Sequence, residues 1–240
     1  MTTVETGATS RRQTRARIVA DTPTKAERTR SAIIDAALEQ FREAGYEDAT
    51  MRAIAARAGV SVGNAYYYFA SKEHLIQGFY DRAGEEHRER AARLLASETD
   101  LSARVAGVLH AWIDTMGPYH AFAGVFFRNA AEPTSPLSPF SAESAPARDA
   151  AIEMWRDVVE RSDTRVPKAL RADLPELLWL YSMGVVLFWV HDPSADTART
   201  RRLIDRSVPV VVRAIGLARV PVLRATIVDL IALVDEIKTL

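Results

Sequence analysis

The chain has 240 residues, with 31 basic and 31 acidic side chains and no cysteine. The lack of cysteine excludes disulfides and thiolate metal sites and favours a reducing compartment, so we expect a cytoplasmic protein. Its longest apolar run, Leu177 to Val190, is shorter than the about twenty residues that span a bilayer, which predicts a buried helix and no membrane contact.

Residues 1–24 are mainly Thr, Ser, Arg and Ala without a repeating apolar face, which predicts a disordered basic tail. Through Arg30 the segment has seven basic residues, Arg28 among them, against three acidic ones. A basic arm of this kind can lie along nucleic-acid phosphates or in a minor groove, and it can equally be a solvated tail. The composition leaves both interpretations open.

Apolar residues at helical spacing predict a first helix from about Ala26 to Ala44, ended by Gly45. We expect Tyr46 to fold back onto the same small core. A second, short helix follows, and Thr50 is its predicted N-cap.

The next residues predict a helix, a tight turn and another helix. Ile54 and Ala55 form the inner side of the short helix, and Gly59 can adopt the left-handed backbone conformation of a sharp turn. Ser61 is the predicted N-cap of the following helix, whose buried side includes Ala65 and Phe69.

The outer face of that helix lacks the Glu and Lys residues of an ordinary solvated helix. A small, polar and aromatic face suits a DNA major groove, where apolar groups meet thymine methyls, Asn pairs with adenine and Tyr reaches phosphates. An ordinary helical hairpin is the alternative. The candidate DNA-binding residues are Arg28, Thr50, Arg52, Ser61, Val62, Gly63, Asn64, Tyr66, Tyr67 and Lys72.

From Lys25 to Leu75 the chain resembles the TetR family of bacterial transcriptional regulators. The resemblance is carried by FREAGYEDAT and by MRAIAARAGVSVGNAYYYFASKEHL. Val62 replaces a residue that is often polar and Asn64 replaces a common Thr, which bears on base preference. The resemblance implies an all-α fold. It also implies two domains. Residues 25–70 would form an N-terminal three-helix DNA-binding domain with a helix-turn-helix, and residues 71–240 a larger C-terminal helical domain for ligand binding and dimerisation.

Ser71 is the predicted cap of a fourth helix that runs to about Ala96 and connects the two domains, and its N-terminus with Lys72 is a candidate phosphate site. No stretch predicts a strand. Residues 132–146 contain four prolines and predict a loop, either a flap over a cavity or, as we prefer, a mobile surface connection. Further helices are predicted over 101–116, 119–129, 147–161, 174–190, 197–215 and 222–238.

The C-terminal part is rich in aromatic and Met side chains, most of which must be ordinary core. Such a concentration can also line a cavity, and the resemblance implies a small-molecule effector there. The candidate ligand-binding residues are Trp112, Met116, Phe122, Phe126, Trp155, Trp179 and Met183.

The run from Leu177 to Val190 is apolar nearly all round and needs cover on more than one side, which a homodimer partner would supply. A second apolar stripe, from Leu203 to Ile215, is the other candidate for the interface. We expect charged residues at Val208 and Val212 to give monomers.

A helical-bundle enzyme is the competing class. None of the five histidines has a Glu three positions before it, as di-iron bundles require, and no Gly-rich phosphate loop or elbow-type Ser motif is present. We therefore predict no catalytic residue, metal or cofactor. The sequence predicts a homodimeric repressor, released from a palindromic double-stranded DNA operator by a small apolar or amphipathic molecule. The alternative is a helical-bundle enzyme or a small-molecule-binding protein without DNA-binding activity.

Overall fold

The computed structural model describes residues 23–217, and all regular structure in that range is helical. Residues 1–22 of the predicted tail and the predicted helix over 222–238 lie outside this range. The predicted boundary of the tail at residue 24 is wrong, because Thr24 is the N-cap of the first helix. The α-helices are α1 (Lys25–Ala44), α2 (Met51–Arg57), α3 (Val62–Tyr68), α4 (Lys72–Leu95), α5 (Leu101–Met116), α6 (His120–Ala131), α7 (Ala145–Glu160), α8 (Lys168–Arg171), α9 (Leu174–Val190) and α10 (Ala198–Leu217).

Helix α1 begins with a reciprocal cap and ends at a glycine. The Thr24 hydroxyl accepts from the Glu27 N–H at 3.2 Å, and the Glu27 carboxylate accepts from the Thr24 N–H at 2.6 Å. Gly45 ends the helix with φ 86°. The apolar face between these ends, which includes Ile33 and Phe41, is buried against α2 and α4.

Helix α4 joins the first three helices to the rest of the molecule, because it packs against both α1 and α5. Its Gly78 lies where the end of α3 approaches, since a Cβ at Gly78 would be 2.7 Å from Cε1 of the Phe69 ring. Leu75, Ile76 and Phe79 on the same helix are almost fully buried. The core is therefore continuous from α1 through α4 to the later helices.

A buried arginine ties the far end of α4 to α5 and α7. The side chain of Arg104, on α5, is 1% exposed. Its guanidinium donates to the carbonyl oxygens of Leu95 at 3.0 Å, Asp157 at 2.8 Å and Val158 at 2.9 Å, and also to that of Glu98. These carbonyls lie at or just beyond the ends of α4 and α7, where a helix leaves its last acceptors unpaired. Arg104 thus supplies donors at both helix ends, in addition to the Arg161 N–H that the Asp157 oxygen accepts at 3.2 Å.

The apolar stripe on α10 is turned inward. Ile204 and Val208 are 0% exposed, and Ile215 is 7% exposed, because α10 packs against α5 of the same chain. The expectation that Val208 lies in a dimer interface is therefore wrong: a 3.6-residue period identifies a buried face without identifying what covers it. Val212 is half-buried.

The apolar side chains left exposed on α9 and α10 are different ones. Leu187 is 44% and Phe188 42% exposed on α9, and Val210 is 55% and Leu217 53% exposed on α10. A monomer with this surface would leave large apolar groups in water on two helices that pack against each other. Within residues 23–217, no helix combines the length and the apolar character needed to cross a membrane.

Candidate nucleic-acid interface and ligand cavities

Helices α2 and α3 form the predicted helix-turn-helix, and both predicted caps are confirmed. The Thr50 hydroxyl accepts from the Ala53 N–H at 3.2 Å, and the Ser61 hydroxyl accepts from the Asn64 N–H at 3.1 Å. Gly59, between the helices, has φ 68°, which a residue with a Cβ adopts only with strain. Both hydroxyls therefore have a structural role as helix N-caps, whether or not they also contact DNA.

The outer face of α3 is exposed although it carries large side chains. Ala65 is 0% exposed and anchors the inner face, whereas Tyr66 is 51%, Tyr67 82% and Val62 38% exposed. A Cβ at Gly63 would meet nothing within 4 Å, so the fold itself does not require glycine there. The absence of a side chain leaves the α3 backbone open to close approach by another molecule.

The two candidate arginines lie away from α3 in the chain. Arg52 is exposed on α2, next to the Thr50 cap. Arg28 is exposed in the first turn of α1, where it donates to the Pro23 carbonyl. The structure thus brings together the candidates of α2 and α3, and it places Arg28 at the point where the N-terminal segment enters the domain.

Lys72, at the start of α4, already has partners within the chain. Its ammonium donates to the carbonyl oxygens of Tyr46 at 2.7 Å and Glu47 at 3.0 Å, and it lies 4.5 Å from the centroid of the Tyr46 ring. Ser71 occupies the N-cap position of α4, but its hydroxyl lies 2.9 Å from Nδ1 of His74 and makes no capping bond to the backbone. The first amides of α4 are therefore not capped by Ser71.

Replacing Lys72 by alanine is expected to have two effects. The free energy of unfolding should fall by about 1 kcal/mol, because two hydrogen bonds from a half-exposed ammonium are lost. If the third donor reaches a phosphate, affinity for every DNA sequence should also fall, and the salt dependence should decrease by about one unit of slope. Urea unfolding and fluorescence anisotropy over a salt series measure the two effects separately. An unchanged salt dependence of DNA affinity would show that Lys72 makes no phosphate contact and has only its structural contacts within the chain.

Two adjoining cavities lie between α4 and the C-terminal helices. The larger has a volume of about 570 Å³ and reaches from α4 and α5 across α6 to α9. The smaller, of about 390 Å³, lies between α4, α5, α7 and α9. Both are lined by Tyr80, Trp112, Met116, Ala147, Trp179, Met183 and Val186.

Six of the seven predicted ligand-binding residues line these cavities. Trp112, Met116, Trp179 and Met183 line both, Phe126 lines the larger and Trp155 the smaller. Phe122 lines neither and packs against Phe126, with ring centroids 6.3 Å apart. Sequence reasoning did not select several other lining residues, among them Tyr80, His87, Tyr119, Phe140 and Arg148.

The polar groups of the smaller cavity include a buried histidine. Nε2 of His87 donates to the Val108 carbonyl oxygen at 2.9 Å. Burial lowers the pKa of His87, so its neutral form is favoured. Asp81 and Arg88 also line this cavity, which gives it side chains of both charges.

The proline-rich loop before α7 forms part of the larger cavity. Leu137 is buried, and Leu137, Ser138, Pro139 and Phe140 line the cavity wall. The hydroxyls of Ser141 and Ser144 both donate to the Pro136 carbonyl oxygen, at 2.9 and 3.1 Å. The loop is thus held by its own hydrogen bonds over the cavity, which favours the flap interpretation over the mobile connection.

Aromatic rings connect the larger cavity with the helix-turn-helix domain. The Phe126 ring, in the cavity wall, lies 6.4 Å from Phe41 of α1 and 5.7 Å from Phe79 of α4. Tyr119, also in the wall, lies 4.6 Å from Phe79. Ring pairs at these distances contribute to stability beyond their buried area. A molecule that shifted Phe126 would therefore disturb the packing of both α1 and α4.

No group of three or more His, Cys, Asp or Glu side chains between residues 23 and 217 is placed to hold a metal ion. The histidines have other contacts. Nε2 of His110 lies 2.8 Å from Asp205, and Nε2 of His120 lies 2.8 Å from the Trp189 carbonyl oxygen.

Two family models match the chain. The model described as "Bacterial regulatory proteins, tetR family" matches residues 33–78. The model described as "Tetracyclin repressor-like, C-terminal domain" matches residues 104–234, which is more than half of the chain.

Curated relatives match a short part of the chain. The transcriptional regulator UidR of Escherichia coli is 46% identical over 54 residues, which are 22% of this chain and 28% of that protein. The transcriptional repressor KstR of Rhodococcus jostii is 51% identical over 47 residues, 20% of this chain and 22% of that protein. The chain thus aligns with about a quarter of the length of these relatives.

Solved structures share the fold over most of the described helices. A TetR transcriptional regulator of Nitrosomonas europaea superposes with a TM-score of 0.59 at 21% identity, covering 75% of this chain and 96% of that one. FadR of Bacillus subtilis, solved in complex with stearoyl-CoA, superposes with a TM-score of 0.56 at 20% identity, covering 73% and 95%. Together with the two domain matches, the helix-turn-helix and the larger helical domain behind it establish that the chain belongs to the TetR family of bacterial transcriptional regulators.

Proposed function

We propose that this protein is a homodimeric repressor that binds a palindromic DNA operator through α3 and is released by an apolar or amphipathic small molecule. The observation that carries the proposal is the outer face of α3. It presents two tyrosines and a valine to solvent while Ala65, on the same helix, is 0% exposed. Binding to chromosomal DNA implies a cytoplasmic protein.

The proposed DNA contacts divide into two kinds. Val62, Gly63 and Asn64, in the first turn of α3, face the base edges, since an N-terminal turn enters the major groove first in this motif. Tyr66 and Tyr67 contact phosphates, as does the N-terminus of α4, where Ser71 makes no capping bond. Phosphate contacts fix the position of the protein, and the base contacts supply selectivity.

The effector site is proposed to be the pair of cavities between α4 and α9. Their walls are mainly apolar, which favours an apolar or amphipathic molecule. The stearoyl-CoA complex of the related fold supports the same chemistry. Because Phe126 and Tyr119 contact Phe79 of α4, a ligand that displaces either ring changes the position of α4 and of the domain attached to it. A ligand that favours another spacing of the two helix-turn-helix domains of the dimer than the operator requires must weaken operator binding in proportion.

Dimerisation is proposed to use the exposed apolar residues of α9 and α10. A single recognition helix offers few base contacts among the many competing sites of a genome. A two-fold dimer requires an inverted-repeat operator, with recognition helices about 34–36 Å apart or a multiple of that distance. The test is selection of bound genomic fragments followed by footprinting. Recovery of an inverted repeat is expected, and recovery of random fragments would contradict the proposal.

Replacing Asn64 by alanine is expected to change sequence preference. Loss of one bidentate contact to adenine should reduce affinity for the selected operator by about 1–3 kcal/mol and leave binding to unrelated DNA nearly unchanged. Competition gel shifts with operator and random duplexes measure the ratio. Because Asn64 contributes only its backbone N–H to the Ser61 cap, the variant retains that hydrogen bond. An equal loss on both duplexes would assign Asn64 to a phosphate contact.

A further inference from the structure

The larger cavity contains one charged residue among its lining residues between positions 23 and 217. Arg148, in the first half of α7, is the single exception in a wall of apolar and neutral side chains. The smaller cavity differs, since Asp81 and Arg88 give it both charges. The larger cavity therefore favours negative charge in any molecule that enters it.

Arg148 is held in place by backbone oxygens. Its Nη1 donates to the carbonyl oxygens of Pro139 at 2.9 Å and Ser141 at 3.1 Å, both in the loop over the cavity. Within the described part of the chain, no carboxylate forms an ion pair with Arg148, and Nε and Nη2 have no hydrogen-bond partner. A guanidinium keeps its charge at every physiological pH. Arg148 is thus a fixed cation with unused donors beside an apolar space.

A second unused donor belongs to the same cavity wall. Trp189, which lines the cavity, is 1% exposed, and its buried Nε1 has no hydrogen-bond partner in residues 23–217. A buried donor without an acceptor is costly, and native proteins rarely leave one unpaired. An oxygen-bearing ligand that reached this ring would supply the missing acceptor.

We propose that Arg148 binds the carboxylate of an amphipathic monocarboxylic acid whose hydrocarbon chain lies in the larger cavity against Phe126, Trp179 and Met183. The planar guanidinium with two free N–H directions matches a carboxylate. The bond also links the ligand to the loop, because the same side chain holds Pro139 and Ser141. This inference rests on the proposed function, of which it names the effector class.

The test compares three probes with the same hydrocarbon chain and different head groups: dodecanoate, dodecan-1-ol and dodecylammonium. The two ions are used below their micelle concentrations and the alcohol below its solubility limit. Binding to the full-length protein is followed by tryptophan fluorescence, since three of the four tryptophans line the larger cavity. Dodecanoate is expected to bind about 10- to 100-fold more tightly than the alcohol, the range of a charge-assisted hydrogen bond. The ammonium compound should bind most weakly.

Variants assign the preference to one residue. Arg148→Gln should reduce dodecanoate affinity to that of the alcohol and change alcohol affinity by less than about threefold, while Arg148→Lys should retain part of the preference. Arg156→Gln is the matched control. Arg156 lies on the same helix, lines neither cavity and pairs with Glu153, so the preference should persist. Should Arg148→Gln fail to fold, the wild-type ranking of the three probes still decides.

The proposal is overturned if the alcohol binds as tightly as the acid, if the ammonium compound binds best, if Arg148→Gln keeps the preference, or if none of the probes binds. Operator binding of the ligand-free protein, measured by anisotropy on a selected fragment, separates this proposal from the proposed function. Intact operator binding without acid preference removes only the role of Arg148. Acid preference without any DNA binding removes only the repressor function.

Discussion

Replacing Arg104 by leucine is expected to lower the free energy of unfolding by about 3–5 kcal/mol. The carbonyl oxygens of Leu95, Glu98 and Val158 would lose this donor, and that of Asp157 would keep only the Arg161 N–H, in a site where the arginine side chain is 1% exposed. Leucine fills part of the space of the stem and donates nothing, so the carbonyl oxygens left without a donor bear their desolvation cost. Urea unfolding followed by circular dichroism measures the change as a lower midpoint with an unchanged slope.

The chain offers a matched control for this prediction. The Arg104 guanidinium lies 3.7 Å from the Asp157 carboxylate. Arg161 pairs with the same carboxylate at 2.6 Å, but the Arg161 side chain is 73% exposed. An exposed ion pair contributes about 0–1 kcal/mol, so Arg161→Ala should change stability little. Arg104→Lys should recover only part of the loss, because an ammonium cannot reach four acceptors in the plane of a guanidinium. A loss below about 1 kcal/mol for Arg104→Leu would mean that water replaces the guanidinium.

The paired substitution Phe188→Glu and Val210→Glu is expected to give monomers that lose operator binding by at least about a hundredfold. Both side chains are exposed, on adjacent helices, so carboxylates there leave the core of one chain intact and repel across a two-fold interface. Each monomer would then bind one half-site. Sedimentation velocity gives the mass, and anisotropy with an operator duplex gives the affinity.

Two comparisons make this result specific. Ala142→Glu places one carboxylate on an exposed loop position and should remain dimeric and bind operator. Val208→Glu should instead unfold the chain, because Val208 is 0% exposed. If the paired variant stays dimeric, the interface lies elsewhere. If it is monomeric and still binds the operator tightly, two helix-turn-helix domains are not needed.

Most of the helices could be predicted from the sequence. The bounds of α5 and α9 agree with the prediction to the residue, because a capping residue or a proline at the start and a polar residue or glycine beyond the end interrupt a strong apolar pattern. The short helix α8 was not predicted. Its four residues make one turn, which is too short to display a helical period.

Packing partners were less predictable than elements. Val208 shows this, since its stripe is buried as expected but against α5 of its own chain. The loop before α7 shows it too. Its prolines exclude a helix, but only tertiary structure brings the Ser141 and Ser144 hydroxyls to one carbonyl oxygen and buries Leu137.

The candidate sites were predictable to different degrees. The caps of α2 and α3 follow from local chemistry, so Thr50 and Ser61 could be assigned from sequence. The cavity could be predicted only as a composition, since an aromatic side chain in a core and one in a cavity wall have the same sequence pattern. Arg148 was missed because its significance depends on the absence of acidic residues from the described wall of the larger cavity, which is a property of the folded molecule.

The ring of Phe126 belongs both to the cavity wall and to the packing of α1 and α4. In the engineering of a biosensor, a substitution at Phe126 would therefore change both the set of ligands that bind and the stability of the helix-turn-helix domain. A library that varies Phe126 would contain many variants in which ligand binding no longer controls DNA binding. Phe140 offers a better starting point, because it is 67% exposed and reaches the cavity through its ring contact with Trp179 at 5.5 Å. New ligand specificities are therefore best sought by substitutions in the loop before α7, with Phe126 left unchanged.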